Sequence, residues 1–162
     1  MIPVVSIVGG KSNVGKTTVI CSIIAELKKR GYRVGTIKHD AHDFEIDKPG
    51  KDSWLHAQAG ADVVSISSHN KMAVIEKLEM EYTLDEMTEK IKNVDIILTE
   101  GYKTENKPKI EVFRKSVSQE LFSKEEELFG IVTDTPLDIN VPQFDFSQTV
   151  EVVDLIEREF LK

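Results

Sequence analysis

Apolar and polar positions along this chain follow two rhythms that take turns. Residues 2–8 (IPVVSIV) form a short β-branched run, the pattern of a buried strand. From Thr17 to Arg30 the apolar residues fall at helical spacing, with Val19, Ile20, Ile23, Ile24 and Leu27 on one face. Lys28, Lys29 and Arg30 fill the last turn of that helix, and Gly31 stops it. Strand-like runs follow at 33–38, 63–67 and 72–78, the last expected antiparallel to its predecessor across a turn at His69-Asn70. A polar stretch from Asp40 to Asp52 lies among them, broken by Pro49-Gly50. Residues 53–59 read as a short helix with Asp52 as its cap, Trp54 as a core or interface residue and Gly60 as its stop.

In the second half, Thr83-Leu84-Asp85-Glu86 is a capping box that opens a helix with Leu84, Met87 and Ile91 as its apolar stripe. Strands are predicted at 95–99, 110–113, 128–133 and 143–146, separated by a polar loop over 100–109. Ser147 is expected to cap a last helix carrying Val150, Val153, Ile156 and Phe160, and Glu125–Glu127 to be a solvated loop or helix end. Strands alternating with helices predict an α/β fold: a mostly parallel sheet flanked by helices in three layers. The length, 162 residues, corresponds to one domain over 1–162.

Composition narrows the classes of partner. The net charge of −7 argues against a nucleic-acid groove or an anionic membrane as the main partner, though it leaves room for a local phosphate nest. The single cysteine, Cys21, permits no disulfide framework within the chain and reads as a small helix side chain. No signal-like segment opens the chain and no apolar run reaches ~18 residues, so a cytoplasmic protein is expected.

Chemistry enters between the first strand and the first helix. Gly10-Lys11-Ser12-Asn13-Val14-Gly15-Lys16-Thr17 reads G-x-x-x-x-G-K-[ST], the phosphate-binding loop of nucleotide hydrolases. Gly10 and Gly15 let the backbone turn tightly and approach a ligand, and the amides between them can surround a polyphosphate. Lys16 reaches the β- and γ-phosphates, and the Thr17 hydroxyl is a Mg²⁺ ligand. The strand before and the helix after are the context this motif needs.

In open α/β sheets ligands sit beyond the carboxyl ends of the strands. Asp95 opens its strand and lies at the wrong end, whereas Glu100 closes it and is a candidate Mg²⁺ ligand. Lys38-His39-Asp40 ends the second strand, followed by His42, Asp43 and Asp47, a segment with the character of a switch that touches a phosphate or a second substrate. A transition-metal site from His39 and His42 has nothing to fix its geometry. Asp134 is a candidate guanine reader, because one carboxylate can accept both the ring N–H and the exocyclic amine; Asp134-Thr135-Pro136 is equally a turn sequence. Lys103, Lys107 and Lys109 make the loop after Glu100 locally basic, fit either for phosphates of a second ligand or for solvent.

The lysine just after the first loop glycine, Lys11, resembles the variant loop of the dimeric ATPases that include the Min-type and partition proteins. In those proteins it reaches across a dimer to the partner's nucleotide. A closer resemblance is to the molybdopterin-guanine dinucleotide biosynthesis protein B family. It rests on Ile7 to Thr18, on Ile37-Lys38-His39-Asp40 continuing through Asp47-Lys48-Pro49-Gly50-Lys51-Asp52-Ser53, and on Ala59-Gly60-Ala61. Asp95 through Lys103 and Thr133-Asp134-Thr135-Pro136 extend it over nearly the whole chain. The resemblance implies a homodimer that binds GTP with Mg²⁺, has weak GTPase activity and works beside a separate molybdenum cofactor guanylyltransferase. Together with the residue reading above, the nucleotide falls on Gly10 to Thr18 and Asp134, the metal on Thr17 and Glu100, and charge stabilisation on Lys16 and, by resemblance, Lys11. The usual guanine signature Asn-Lys-x-Asp is absent; only Thr133-Asp134 remains. A small-molecule kinase using the same loop and a nucleotide-gated scaffold for a partner protein are the alternative readings.

Overall fold

The computed structural model describes residues 1–40 and 43–161. The chain divides into two compact units, one made of Met1–His39 and everything from Leu84 onward, the other of Asp40–Thr83.

The first unit is built on a sheet of six parallel strands. They are β1 (Val4–Val8), β2 (Val34–Lys38), β5 (Ile96–Glu100), β6 (Lys109–Phe113), β7 (Leu128–Thr133) and β8 (Gln143–Phe144), in the spatial order β2-β5-β1-β6-β7-β8. Parallel strands are covered on both faces, which is why their sequences are runs and not alternations. Helices α1 (Lys16–Lys29) and α4 (Thr149–Phe160) cover one face and bury Val19, Ile20, Ile23 and Leu27 with Val152, Val153 and Ile156 against β1, β5 and β6. On the other face α3 (Leu84–Lys90) packs Leu84, Met87 and the following Ile91 on Ile37 and Ile97. A second patch joins Phe113, Leu128 and Ile131 to Leu121, Leu137, Ile139 and Val141. The three-layer α/β arrangement expected from the alternation of strands and helices is the one observed.

Helix α1 closes with Gly31 N–H donating to Lys28 O and Tyr32 N–H to Leu27 O, at 3.0 and 3.1 Å. Arg30 then ties α1 to α4, donating to Asp154 Oδ1 and Glu157 Oε2 at 2.7 Å each, and to Glu26 Oε1 at 2.9 Å. Hydrogen bonds from Arg30 hold the Glu26 carboxyl below the usual range; at Glu157 the Tyr32 hydroxyl does most of this and Arg30 adds to it.

The second unit holds α2 (Asp52–Gln58) and the antiparallel pair β3 (Val63–Ser67) and β4 (Met72–Glu76). Side chains of Val63, Ile66, Met72 and Val74 on this ribbon are each at least half exposed.

Several local expectations are corrected. Asp52 is the first residue of α2, not its cap; Lys51 precedes it without a side-chain cap bond. Trp54 is half-buried, which excludes the core alternative of its reading, and α2 buries no residue. Ser147 does not cap α4, because its N–H and hydroxyl both turn back to Asp145 and Gln148 takes the cap position. Val150 is 49% exposed, so the buried stripe of α4 runs through Val152, Val153, Leu155 and Ile156. Glu125–Glu127, expected as a solvated loop or helix end, are exposed and form a single 3-10 turn, in keeping with that reading. Among the described residues no helix is long and apolar enough to cross a membrane.

Candidate functional site

The loop between β1 and α1 stands at the carboxyl end of the sheet, where β1 lies between β5 and β6. Its backbone is set by three residues. Gly15 has φ +106°, a left-handed conformation that a side chain would strain, and its carbonyl starts α1 by accepting from Val19 N–H at 3.0 Å. Asn13 is also left-handed, at φ +63°, one of the few residue types that tolerate it. Val14 between them is fully buried in the α1 core and pins the loop to the sheet.

The tight glycine is not the one the motif singles out. A Cβ on Gly10 would meet nothing nearer than Phe122 Cβ at 3.5 Å, and Gly10 has no positive φ. A Cβ on Gly9 would lie 2.8 Å from Val14 Cγ2 and 3.1 Å from the Val112 carbonyl oxygen. Close approach is therefore required at Gly9, between loop and sheet.

Lys16 Nζ donates to the Lys11 carbonyl at 3.0 Å, folded back across the loop. Burial lowers its pKa, the nearby Lys103 charge adds to that, and Glu100 opposes it. Thr17 Oγ1 donates to Glu100 Oε1 at 3.1 Å, so the residues read as a metal pair do meet. Register explains it: Glu100 ends β5 opposite Ile7 of β1 and Lys38 of β2, one strand over from the loop. Asp95, at the other end, is structural and accepts from Arg33 N–H at 2.7 Å.

Ser12 and the Lys11 side chain are exposed, and Thr18 lines a small cavity with Ser22, Asp145, Phe146 and Thr149. Asp134 Oδ1 accepts from Lys115 N–H at 2.9 Å. His39 N–H donates to Glu100 O at 2.9 Å, and its ring lies 4.9 Å from that of Tyr102. His42 lies outside the described residues. Among the described residues no cluster of His, Cys, Asp or Glu is arranged to hold a transition metal.

The three lysines after Glu100 separate. Lys103 Nζ reaches Gly10 O at 3.2 Å and stands 5.0 Å from the Phe122 ring centroid. Lys107 instead pairs with Asp85 at 2.7 Å. Lys109 belongs to β6, is 1% exposed and pairs with Glu127 at 2.6 Å, so it is not a loop residue.

Four residues were not foreseen. Glu111, buried in β6, accepts from Phe122 N–H and Ser123 N–H at 2.7 and 2.8 Å, which sets Phe122 against Gly10. Arg114 Nε points to Val14 O at 3.5 Å, and its guanidinium carbon stands 4.3 Å from the Phe146 centroid. Phe146 in turn lies 3.3 Å from where a Gly15 Cβ would be. No local pattern marks these; a charged residue inside an apolar strand, such as Glu111 in IEVF, was the one available signal.

A hydroxyl and a carboxylate are hard oxygen donors that suit Mg²⁺, and left-handed residues such as Asn13 and Gly15 within a turn belong to the backbone geometry of anion-binding nests. The residues present fit a magnesium nucleotide. Comparison with known proteins gives the family. The family described as Molybdopterin guanine dinucleotide synthesis protein B matches residues 4–134. The chain is 33% identical, over 158 residues, to the molybdopterin-guanine dinucleotide biosynthesis adapter protein of Haemophilus influenzae, covering 96% of this chain and 88% of that one. It is also 33% identical to the adapter protein of that name from Escherichia coli, over 90% of this chain and 86% of that one. A crystal structure of Bacillus subtilis MobB superposes with a TM-score of 0.77 at 26% identity, covering 98% of both chains. A crystal structure of a molybdopterin-guanine biosynthesis protein B superposes at 0.74 with 27% identity, covering 98% of this chain and 99% of that one.

Proposed function

Because the chain belongs to the molybdopterin guanine dinucleotide synthesis protein B family, we propose that it serves as an adapter in molybdopterin-guanine dinucleotide biosynthesis and binds GTP with Mg²⁺ in its phosphate loop. The adapter role follows the relatives' description. The nucleotide rests on one observation: the Thr17 hydroxyl meets the Glu100 carboxylate at 3.1 Å beside a loop that carries Lys16.

The chain's own groups suit that task. Lys16 is held on a neutral carbonyl, Lys11 O, and exchanges it for an anionic phosphate oxygen, a stronger acceptor. Lys103 on Gly10 O adds positive charge to the same end of the loop. Thr17 and Glu100 would hold Mg²⁺, which supplies charge neutralisation at the β- and γ-phosphate oxygens. Lys11, exposed at the loop's rim, is placed to add a further positive charge in its own chain or across a dimer. Hydrolysis is slow in this reading, because no residue is assigned to orient the attacking water. The partner is a molybdenum cofactor guanylyltransferase. The exposed apolar side chains of β3 and β4 favour a homodimer, since a lone two-stranded ribbon rarely leaves such a surface to water.

Calorimetric titration with GTP, GDP and ATP, with and without Mg²⁺, tests this. Wild type should bind GTP at least about tenfold tighter than ATP, a difference of about 1.4 kcal/mol. Lys16→Ala should abolish binding, and Glu100→Gln should remove most of the gain from Mg²⁺. Binding of ATP as tight as GTP, or indifference of Glu100→Gln to Mg²⁺, overturns the assignment.

A further inference from the structure

We propose that Arg114 and Phe146 form the nucleobase site, with Phe146 as a stacking surface and Arg114 as a reader of the O6/N7 edge of guanine. This rests on the phosphate loop being a GTP site. It adds two residues that the loop motif does not contain.

The argument starts from strand order. Glu100 sits on β5, on one side of β1, and with Thr17 marks the end where the metal and terminal phosphate belong. A nucleotide lying across the loop must then carry its base toward the other side, over β6, β7 and β8. The first residue beyond β6 is Arg114, the first beyond β7 is Asp134, and Phe146 follows two residues after β8. The three converge. Arg114 Nη2 lies 3.6 Å, and Phe146 Cε1 3.3 Å, from the position of a Gly15 Cβ. The guanidinium carbon is 4.3 Å from the Phe146 centroid, and Asp134 accepts from the N–H of Lys115, the residue after Arg114. Thr18, Asp145 and Phe146 share a small cavity immediately beside them.

Chemistry sets the preference. A guanidinium has only donors and presents them as a planar fork, and the 3.5 Å contact to Val14 O occupies little of that capacity. Guanine offers two adjacent acceptors, O6 and N7, which the fork matches. Adenine offers N7 beside the N6 donor, and donor meets donor. Asp134, with only acceptors, complements the N1–H and N2–H₂ edge of the same base. Both residues discriminate in the same direction. The Phe146 ring accepts any base on its face once the Arg114 guanidinium, which stands 4.3 Å over that ring, swings off it to the base edge.

The test is calorimetric titration of GTP, ATP, 7-deaza-GTP and tripolyphosphate, with Mg²⁺, into wild type, Arg114→Gln and Phe146→Leu. 7-Deaza-GTP lacks only the N7 acceptor. Wild type should bind it about tenfold more weakly than GTP. Arg114→Gln should lose both that penalty and about tenfold of the GTP-over-ATP preference, with tripolyphosphate binding unchanged. Phe146→Leu should weaken GTP and ATP alike, by about tenfold. If wild type binds GTP and ATP equally, the GTP reading falls and this site with it. If wild type prefers GTP but Arg114→Gln keeps that preference while still binding tripolyphosphate, the Arg114 site alone is overturned. Equal binding of GTP and 7-deaza-GTP by wild type overturns it without recourse to any variant.

Discussion

Replacing Gly9 by alanine places a methyl carbon 2.8 Å from Val14 Cγ2 and 3.1 Å from the Val112 carbonyl oxygen. Neither neighbour can yield cheaply. Val14 is 0% exposed and packed among the α1 core residues, so its methyl has no empty volume to enter. Val112 O belongs to β6, which is hydrogen-bonded to β1 through the pairing of Val8 with Glu111 and to β7 on its far side. Inserting a methyl into such packing costs about 1–3 kcal/mol. For a chain of this size each kcal/mol lowers the melting temperature by about 2–4 °C, so a drop of about 2–12 °C is expected. Because the strain falls on Val14, two residues before Lys16, GTP affinity should fall with it. Gly10→Ala is the internal control: its methyl would stand 3.5 Å from Phe122 Cβ, ordinary contact, and the stability change should stay within about 0.5 kcal/mol. Thermal denaturation followed by circular dichroism, paired with calorimetric titration of GTP, measures both. A Gly9→Ala protein with unchanged melting and affinity, or a Gly10→Ala protein destabilised as much, would refute the packing argument.

Two further expectations concern the scaffold. Arg30→Met removes the tie between α1 and α4 and should lower the melting temperature by about 2–4 °C. The same tie predicts acid sensitivity. Glu26 and Glu157 have folded pKa values depressed below their unfolded ones, so the folded state binds fewer protons there. Their stabilisation is complete above the ordinary glutamate value and is lost as pH falls through the depressed folded values. Melting temperature should therefore decline on acidification in that window, and less steeply in Arg30→Met; an identical decline in both proteins would show that the tie is not its source. Lys109 is 1% exposed but its partner Glu127 is 38% exposed, so Lys109→Met keeps the packing and leaves a carboxylate that water can solvate. Its stability should stay within about 1 kcal/mol of wild type, whereas Lys109→Ala adds a cavity and should cost about 2 kcal/mol more; equal denaturation midpoints for the two variants would contradict this.

The motif residues were legible because phosphate binding is a local problem: one turn between one strand and one helix supplies the amides, Lys16 and Thr17. Glu100 was legible through a general rule about strand ends, once its strand was recognised as an apolar run. Lys109 was misplaced by one boundary. Lys109 opens β6 instead of closing a loop, and that single step moves it from solvent to the interior. Ser147 was a good cap by type, but Asp145 two residues earlier competes successfully for its donors. Asp134 came with a role but no neighbours; the structure puts it beside Lys115, and so beside Arg114.

Hydrophobic periodicity and the glycine spacing, both short-range signals, were enough for the element types, the α/β class and the position of the phosphate loop. They act over a turn of helix or a few strand residues, and nothing distant has to be known. Strand order is different in kind. β1 pairs with β5 and β6, about ninety to a hundred residues away, and each strand is apolar enough to have taken other neighbours. That choice emerges only when all the layers are buried at once. It is what sets Glu100 against Thr17 on one flank of the loop, and gathers Arg114, Asp134 and Phe146 on the other.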